Sequence, residues 1–216
     1  MPHVLSVNLG SRTAIDQSVL GHTGGIKRPV AGPVEIAPVT AGSGLAGDHI
    51  SDTRVHGGSD QAVYAYARED LDGWAARLGR EIPAGLFGEN LTTVGVDLTG
   101  AVLGEKWRVG TAVIQVTNPR IPCRTFAAVM AEPGWIRTFT REGACGAYFR
   151  VVGAGAVAAG DPAELVERPD HGVTVRLAFR ALMTEPELLP RLAEAGPHLT
   201  DVLRRRVDRR TAPDPA

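Results

Sequence analysis

The sequence predicts a mainly β, α+β fold: a barrel or folded sheet with peripheral helices, followed by a helical tail. Three observations carry that expectation. Short runs rich in β-formers recur through residues 1–170, and 26 glycines and 15 prolines punctuate the chain. Many short strands joined by tight turns leave this pattern. No strand–helix–strand alternation is legible there, which disfavours a Rossmann-type sheet. Beyond Glu167-Arg168-Pro169-Asp170-His171-Gly172, glycine becomes scarce and helix formers dominate. The expected division is therefore 1–170 and 171–216.

Strands are expected, in order, at 4–9, 33–39, 101–109, 112–117, 147–152 and 163–167, each short and rich in β-formers. Two helices interrupt them. Residues 68–78 place Leu71, Trp74, Ala75 and Leu78 on one face, at i, i+3, i+4 and i+7, and Gly79 ends the run. Residues 133–141 start on Pro133, suited to a first helical turn, and carry Trp135, Ile136 and Phe139. The tryptophans of both read as core. The tail divides into three short helices near 174–182, 185–195 and 199–210. Thr184 is a candidate cap for the second, with Pro186 in its first turn and Gly196-Pro197 ending it; Thr200 is a candidate cap for the third. The arginines at 204–206 and 209–210 read as a solvated basic face at a helix C-terminus, where the dipole favours them.

Composition excludes several function classes. Formal net charge is −1 and the pI is near 6.6, so no global field argues for nucleic acid or a membrane surface. Aromatic residues make up 5% of the chain, too few for base-stacking platforms. The start, Met1-Pro2-His3-Val4-Leu5-Ser6-Val7, lacks a basic n-region and a long apolar core, and no apolar run is long enough to span a bilayer. A cytoplasmic protein is expected. Its two cysteines, Cys123 and Cys145, lack zinc-finger spacing and suggest no disulfide framework.

The most informative stretch is Asn118-Pro119-Arg120-Ile121-Pro122-Cys123-Arg124, directly after an expected strand. Two prolines stiffen it, and flanking guanidinium charge favours thiolate over thiol. That setting suits a nucleophile or a soft-metal ligand. Two further clusters need an explanation. One is Gly44-Leu45-Ala46-Gly47-Asp48, then Asp52, then His56-Gly57-Gly58-Ser59-Asp60-Gln61, where adjacent glycines let backbone amides approach an anion or cofactor. The other is Phe87-Gly88-Glu89-Asn90-Leu91-Thr92, whose Glu89 and Asn90 offer acceptors and amide donors at one turn. None of these matches a P-loop, GxGxxG, HExxH or Gly-x-Ser-x-Gly pattern. Cysteine plus histidine can mean a thiol nucleophile with a general base, or one soft ligand with polar groups around an anionic cofactor. The residues alone leave both open.

In this order the clusters resemble the MOSC domain, in its stand-alone bacterial YiiM-like branch. The resemblance rests on Gly-Leu-Ala-Gly-Asp at 44–48, Val-His-Gly-Gly-Ser-Asp-Gln-Ala-Val-Tyr-Ala-Tyr at 55–66, Phe-Gly-Glu-Asn-Leu at 87–91 and Gln-Val-Thr-Asn-Pro-Arg-Ile-Pro-Cys at 115–123. Thr23–Val30 fits an early Thr-Gly-Ile-x-Lys segment, and the tail resembles the three-α-helix domain that follows in this branch. The resemblance implies a β-barrel-like MOSC domain and a molybdenum cofactor of the molybdopterin type. Cys123 matches the position that ligates molybdenum. Lys27, Gly57, Gly58, Gln61, Glu89, Asn90, Arg120 and Arg124 become candidates for holding the cofactor, and His56 and Asp60 for relaying protons beside Cys123. Similar proteins reduce N-hydroxylated compounds, including hydroxylamino purines and amidoximes, with two electrons and two protons. A separate electron-donor protein of flavoprotein or ferredoxin type is then required, because the chain shows no flavin, haem or iron–sulfur motif. A non-catalytic carrier of cofactor or persulfide sulfur is the alternative. Pyridoxal phosphate is not expected, since no lysine sits in a Schiff-base context, and a homodimer is compatible with the branch. The chain departs from the family at Asp70-Leu71-Asp72-Gly73-Trp74, where other members commonly have His-Tyr before the tryptophan. Cys145 reads as structural.

Overall fold

Burial along β6 (Val63–Ala67) is complete at all five positions, the mark of a strand covered on both faces. In the computed structural model, which describes residues 1–16, 20–54 and 56–211, β6 lies inside an eight-stranded mixed sheet. The helix predicted at 68–78 is α1 (Arg68–Leu78), burying Leu71 and Trp74. It leads from β6 to β7 (Leu91–Val94), and β6 and β7 pair in parallel. A parallel pair needs such a crossover. One strand–helix–strand unit is therefore present where none was read, because Tyr64, Ala65, Tyr66 and Ala67 do not stand out as a β-branched run.

The other strands of this sheet are β1 (His3–Gly10), β4 (Lys27–Pro29), β8 (Lys106–Val109), β9 (Ala112–Pro119), β10 (Ala147–Gly153) and β12 (Ala163–Glu167). Their order is β12-β8-β9-β10-β6-β7-β1-β4. The barrel expectation requires correction. β1 meets the approach to β12 at one isolated bridge, His3 to Pro162, with flanking bonds from Val4 N to Asp161 O and Ala163 N to Pro2 O. No continuous ladder closes the sheet. Two small pairs lie beside it: β2 (Thr13–Ala14) with β3 (His22–Thr23), and β5 (Val34–Ile36) with β11 (Gly155–Val157). β5 is shorter than the predicted 33–39, and β8 occupies only the end of 101–109.

β9 delivers the cysteine segment. It is followed by α2 (Arg124–Met130), a seven-residue helix absent from the sequence reading, and by α3 (Trp135–Glu142), which starts two residues later than expected. Between α1, α2 and α3 lies an aromatic layer. Trp74, Trp135 and Phe139 are buried, with ring centroids of Trp74 and Trp135 at 4.7 Å, so both tryptophans are core as expected. Tyr66 ties this layer to the sheet: its hydroxyl accepts from Trp74 Nε1 at 2.9 Å and donates to Ala144 O at 2.6 Å.

The tail has three helical segments near their predicted places. α4 (Val175–Met183) is capped by Thr174, whose Oγ1 accepts from Leu177 N at 3.1 Å. The middle segment, Pro186–His198, is 3₁₀ rather than α, with Pro190 and Pro197 inside and a kink at Gly196; internal prolines remove α-helical donors. Thr184 ends α4 instead of capping this segment. α5 (Asp201–Thr211) starts under Thr200, whose Oγ1 accepts from Leu203 N and donates to Asn118 Oδ1 at 2.9 Å on β9. Leu192, Ala195 and Leu203 of the tail belong to the same buried apolar cluster as the sheet. Among the described residues no helix is long and apolar enough to cross a membrane.

Candidate functional site

A cavity of about 510 Å³ opens where the end of β9, the start of α2 and the loops around residues 20–27, 50–57 and 88–90 converge. Lys27, His56, Gly57, Gln61, Asn90, Arg120, Cys123 and Arg124 all line it. Positions spread over almost one hundred residues of sequence thus meet in one place. Asp60, Gly58 and Glu89 do not line it.

Cys123 is half-buried and sits at the N-cap of α2 in an extended conformation, φ −125° and ψ 171°. Pro122 before it is buried in the wall. The expected rigid presentation of sulfur is therefore met by a strand end on one side and a helix start on the other. Arg120 packs against it. Burial works to lower the Arg120 pKa, and the nearby Cys123 side chain helps raise it; Nη1 donates to Ile121 O at 2.9 Å, and the group lies 4.1 Å over the Phe126 ring. Its Nε is shielded from solvent with no partner among the described residues. Arg124 is exposed at the rim.

Lys27 is not a free cation. Its Nζ meets Asp48 Oδ1 at 2.5 Å and Oδ2 at 2.6 Å, and the two side chains are 3% and 0% exposed. Asp48 also accepts from Gly10 N at 2.7 Å and from Asn90 Nδ2 at 2.9 Å. Burial lowers the Lys27 pKa while Asp48 pulls it back up. Asn90 is fixed further by its Oδ1, which accepts from Tyr64 N at 3.2 Å. Asp48, read only as a turn residue or family marker, is thus the hub of the cavity floor.

The residues outside the lining have structural partners. Asp60 Oδ1 is held by Arg150 Nη2 at 2.7 Å, and its carbonyl accepts from Thr117 Oγ1 at 2.6 Å. The Gly58 amide donates to Gly42 O at 2.8 Å instead of facing a ligand. Gly57 has φ +76°, and a side chain there would meet Gly42 O at 2.4 Å; the close loop approach explains the glycine. Glu89 lies beneath the floor with Oε1 accepting from Gly85 N at 2.5 Å and Thr92 Oγ1 at 3.0 Å. Burial pushes its carboxyl up to about 7.

His56 stands at the mouth. Partial loss of hydration against the wall and the nearby Arg120 charge lower its pKa, with Asp52 opposing them. The ring is therefore neutral near neutral pH. Thr23, Gly24, Gly25 and Tyr64, which the sequence marks only as parts of the family resemblance, also line the cavity, and so do Ser51, Phe126 and Tyr148, which it does not single out. Ser51 Oγ is shielded and unpartnered among the described residues. Strand alternation signals Tyr148, since Ala147, Phe149 and Val151 point into the core and Tyr148 to the other face. Its phenol is raised in pKa by burial, with Arg120 lowering it and Cys123 raising it. Gly24 leaves no space for a side chain, whose Cβ would fall 1.9 Å from His49 O. Asp70, where the chain departs from the family, is half-buried on α1 and outside the lining. Cys145 is fully buried, and desolvation pushes its thiol up to about 12, in keeping with a structural role. Among the described residues no group of three or more His, Cys, Asp or Glu side chains is placed to hold a metal ion.

The chain has relatives among known proteins. The family profile for the MOSC domain matches residues 52–164. YflK of Bacillus subtilis (strain 168), an uncharacterized protein, is 34% identical over 178 residues, 82% of this chain and 79% of that protein. YiiM of Escherichia coli (strain K12) is 37% identical over 142 residues, 62% of this chain and 61% of that protein. A protein named reductase from Gibberella moniliformis is 29% identical, and the match spans only 28% of its length. The crystal structure of YiiM from Geobacillus stearothermophilus superposes with a TM-score of 0.79 at 29% identity, covering 98% of this chain and 100% of that one. YiiM from Escherichia coli superposes at 0.73 with 27% identity, covering 97% and 92%.

Proposed function

The chain belongs to the MOSC family, and from that premise we propose that it is a molybdenum-cofactor-dependent reductase of N-hydroxylated compounds, with Cys123 as the protein ligand to the metal. The observation that carries this reading is the setting of Cys123: a thiol opening into a cavity of about 510 Å³ whose wall holds two shielded polar atoms without a partner among the described residues, Arg120 Nε and Ser51 Oγ. Unpartnered buried donors cost free energy unless a ligand satisfies them. A pterin cofactor with a phosphate fits that donor set. Arginine suits its anionic oxygens, and Asn90 in the wall is held in place by Asp48.

When bound, the cofactor supplies the two-electron couple that N–O bond reduction needs. The chain's own residues bind, orient and protonate. Cys123 contributes a soft sulfur donor held between a strand end and a helix start. Arg120 and the exposed Arg124 balance negative charge. Lys27, neutralised by Asp48, stiffens the floor more than it binds anions. His56, neutral near pH 7, can accept a proton from water at the mouth and pass it inward, and Tyr148 remains a hydroxyl donor. Asp60 is withdrawn from the relay because Arg150 holds it.

The test is reduction of an amidoxime or a hydroxylamino purine by cofactor-loaded protein with a chemical reductant. Turnover falls to background in Cys123→Ala. Retained turnover in that variant overturns the ligand assignment, and a stable persulfide on Cys123 without any turnover moves the conclusion to sulfur or cofactor carriage.

A further inference from the structure

A second concavity, of about 520 Å³, lies between α3 and α4 and is lined by Arg137, Arg141, Arg176 and Arg180. Two glutamates share it, but both are engaged: Glu142 with Arg77 at 2.5 Å, and Glu185 with Arg180. Among the described residues Arg137, Arg141 and Arg176 form no salt bridge, and all three are exposed. In a chain of net charge −1, this is a local concentration of positive charge.

Its position relative to the Cys123 cavity gives it a use. One helix separates the two: Ile136 of α3 lines the cavity and Arg137 lines the arginine face, and a helix with its side chains is about 10–12 Å across. Packed rings fill the interval. Phe179, at the floor of the arginine face, lies 6.2 Å from Phe139, and Phe139 lies 5.2 Å from Phe126, centroid to centroid. Phe126 lines the Cys123 cavity and stacks under Arg120. The interval is close-packed, so electrons crossing it meet no water-filled gap.

We propose that the arginine-lined face between α3 and α4 is the docking surface for an acidic electron-donor protein, which delivers electrons across this aromatic layer to the Cys123 cavity. The inference rests on the reductase reading. Each turnover takes two electrons, in two one-electron steps, from a flavin or iron–sulfur carrier. The N–O bond breaks, the hydroxyl leaves as water with one proton, and nitrogen takes the other. Charge complementarity steers such encounters and makes them salt-sensitive. The arginines of α5 are also exposed, but α5 contains no aromatic residue.

The experiment uses the cofactor-loaded full chain, with electrons supplied either by a strongly acidic plant-type ferredoxin held reduced or by reduced methyl viologen, a small cation. In Arg137→Glu/Arg141→Glu the KM for ferredoxin rises at least ~10-fold and its salt dependence collapses, while viologen-driven turnover, substrate KM and molybdenum content stay unchanged. Arg137→Gln/Arg141→Gln gives a smaller rise in the same direction and serves if charge reversal impairs folding. Arg205→Glu/Arg206→Glu on α5 leaves the ferredoxin KM unchanged. The docking surface is overturned by an unchanged ferredoxin KM in both α3 variants, by a shift in the α5 variant instead, or by a wild type that accepts electrons from viologen and none from ferredoxin. The reductase reading survives each of those results. Wild-type protein that holds no molybdenum and is silent with viologen overturns both.

Discussion

Of the two carboxyl oxygens of Glu89, Oε1 accepts hydrogen bonds from Gly85 N and Thr92 Oγ1, while Oε2 is shielded with no partner among the described residues. Burial raises the carboxyl from 4.5 to about 7. Between those values the folded chain holds the proton more tightly than the unfolded chain. Stability contributed by the protonated form is therefore complete below pH 4.5 and falls as pH rises toward 7. The loss across the window is roughly 3 kcal/mol. Glu89→Gln keeps the Oε1 acceptor and removes this titration, so between about pH 5 and about pH 8 the variant should lose clearly less stability in urea unfolding than the wild type, the remaining loss coming from Asp70, which burial raises to about 6. An identical drop in both contradicts the assignment. Glu89 also shows what residue-level reading misses. Chemistry-bearing residue types at Cys123, His56, Gln61 and Arg120 pointed to the cavity, whereas Asp60 and Glu89 carry the same chemistry and face partners elsewhere. Arg150, which holds Asp60, is distant in sequence, and nothing local announces it. Ser51 is not legible because a lone serine has no distinguishing context, whereas Tyr148 is signalled only by the strand alternation of β10.

At the scale of elements, long periodic segments were legible and short ones were not. α1 matches its predicted bounds, because its apolar positions recur at helical spacing over eleven residues and Gly79 ends it. α2 spans seven residues, too few for a period to show, so the sequence pattern there is that of a loop although the helix carries Cys123 at its start. β6 was missed because an alternation of tyrosine and alanine gives no β-branched signal. The helical segments of the tail lie near the places the sequence predicts, but prolines at 190 and 197 turn the middle one to 3₁₀. Caps were read unevenly: Thr200 caps α5, whereas Thr184 ends α4. The N-cap at Thr174 gives a direct test. Its Oγ1 satisfies Leu177 N, so Thr174→Ala should lower stability by about 1 kcal/mol in denaturant unfolding, and Thr174→Ser should restore most of it. A neutral alanine variant would mean that α4 is held by packing alone, through Val175, Ala178 and Phe179.

For the whole molecule, the mainly β class with a helical end was legible from glycine and proline punctuation and from the change of composition near residue 170. Closure was not, because hydrogen-bond registry between β1 and β12 is a tertiary property that neither strand's sequence encodes. The open mixed sheet matters to the site. β9 and β10 supply Arg120 and Tyr148 from one part of it, β6 and the turn before β7 supply Tyr64 and Asn90 from the centre, and β4 supplies Lys27 from its edge. One rigid sheet thus fixes most of the cavity wall, and α2 and α3 close the side that carries Cys123. The central claim is that this sulfur binds molybdenum. Metal analysis of the full chain purified from a molybdenum-replete host tests it most directly. About one molybdenum per chain is expected in the wild type, with its loss in Cys123→Ser and the fold intact by circular dichroism; wild-type protein free of molybdenum and carrying a persulfide on Cys123 would rule the ligand role out.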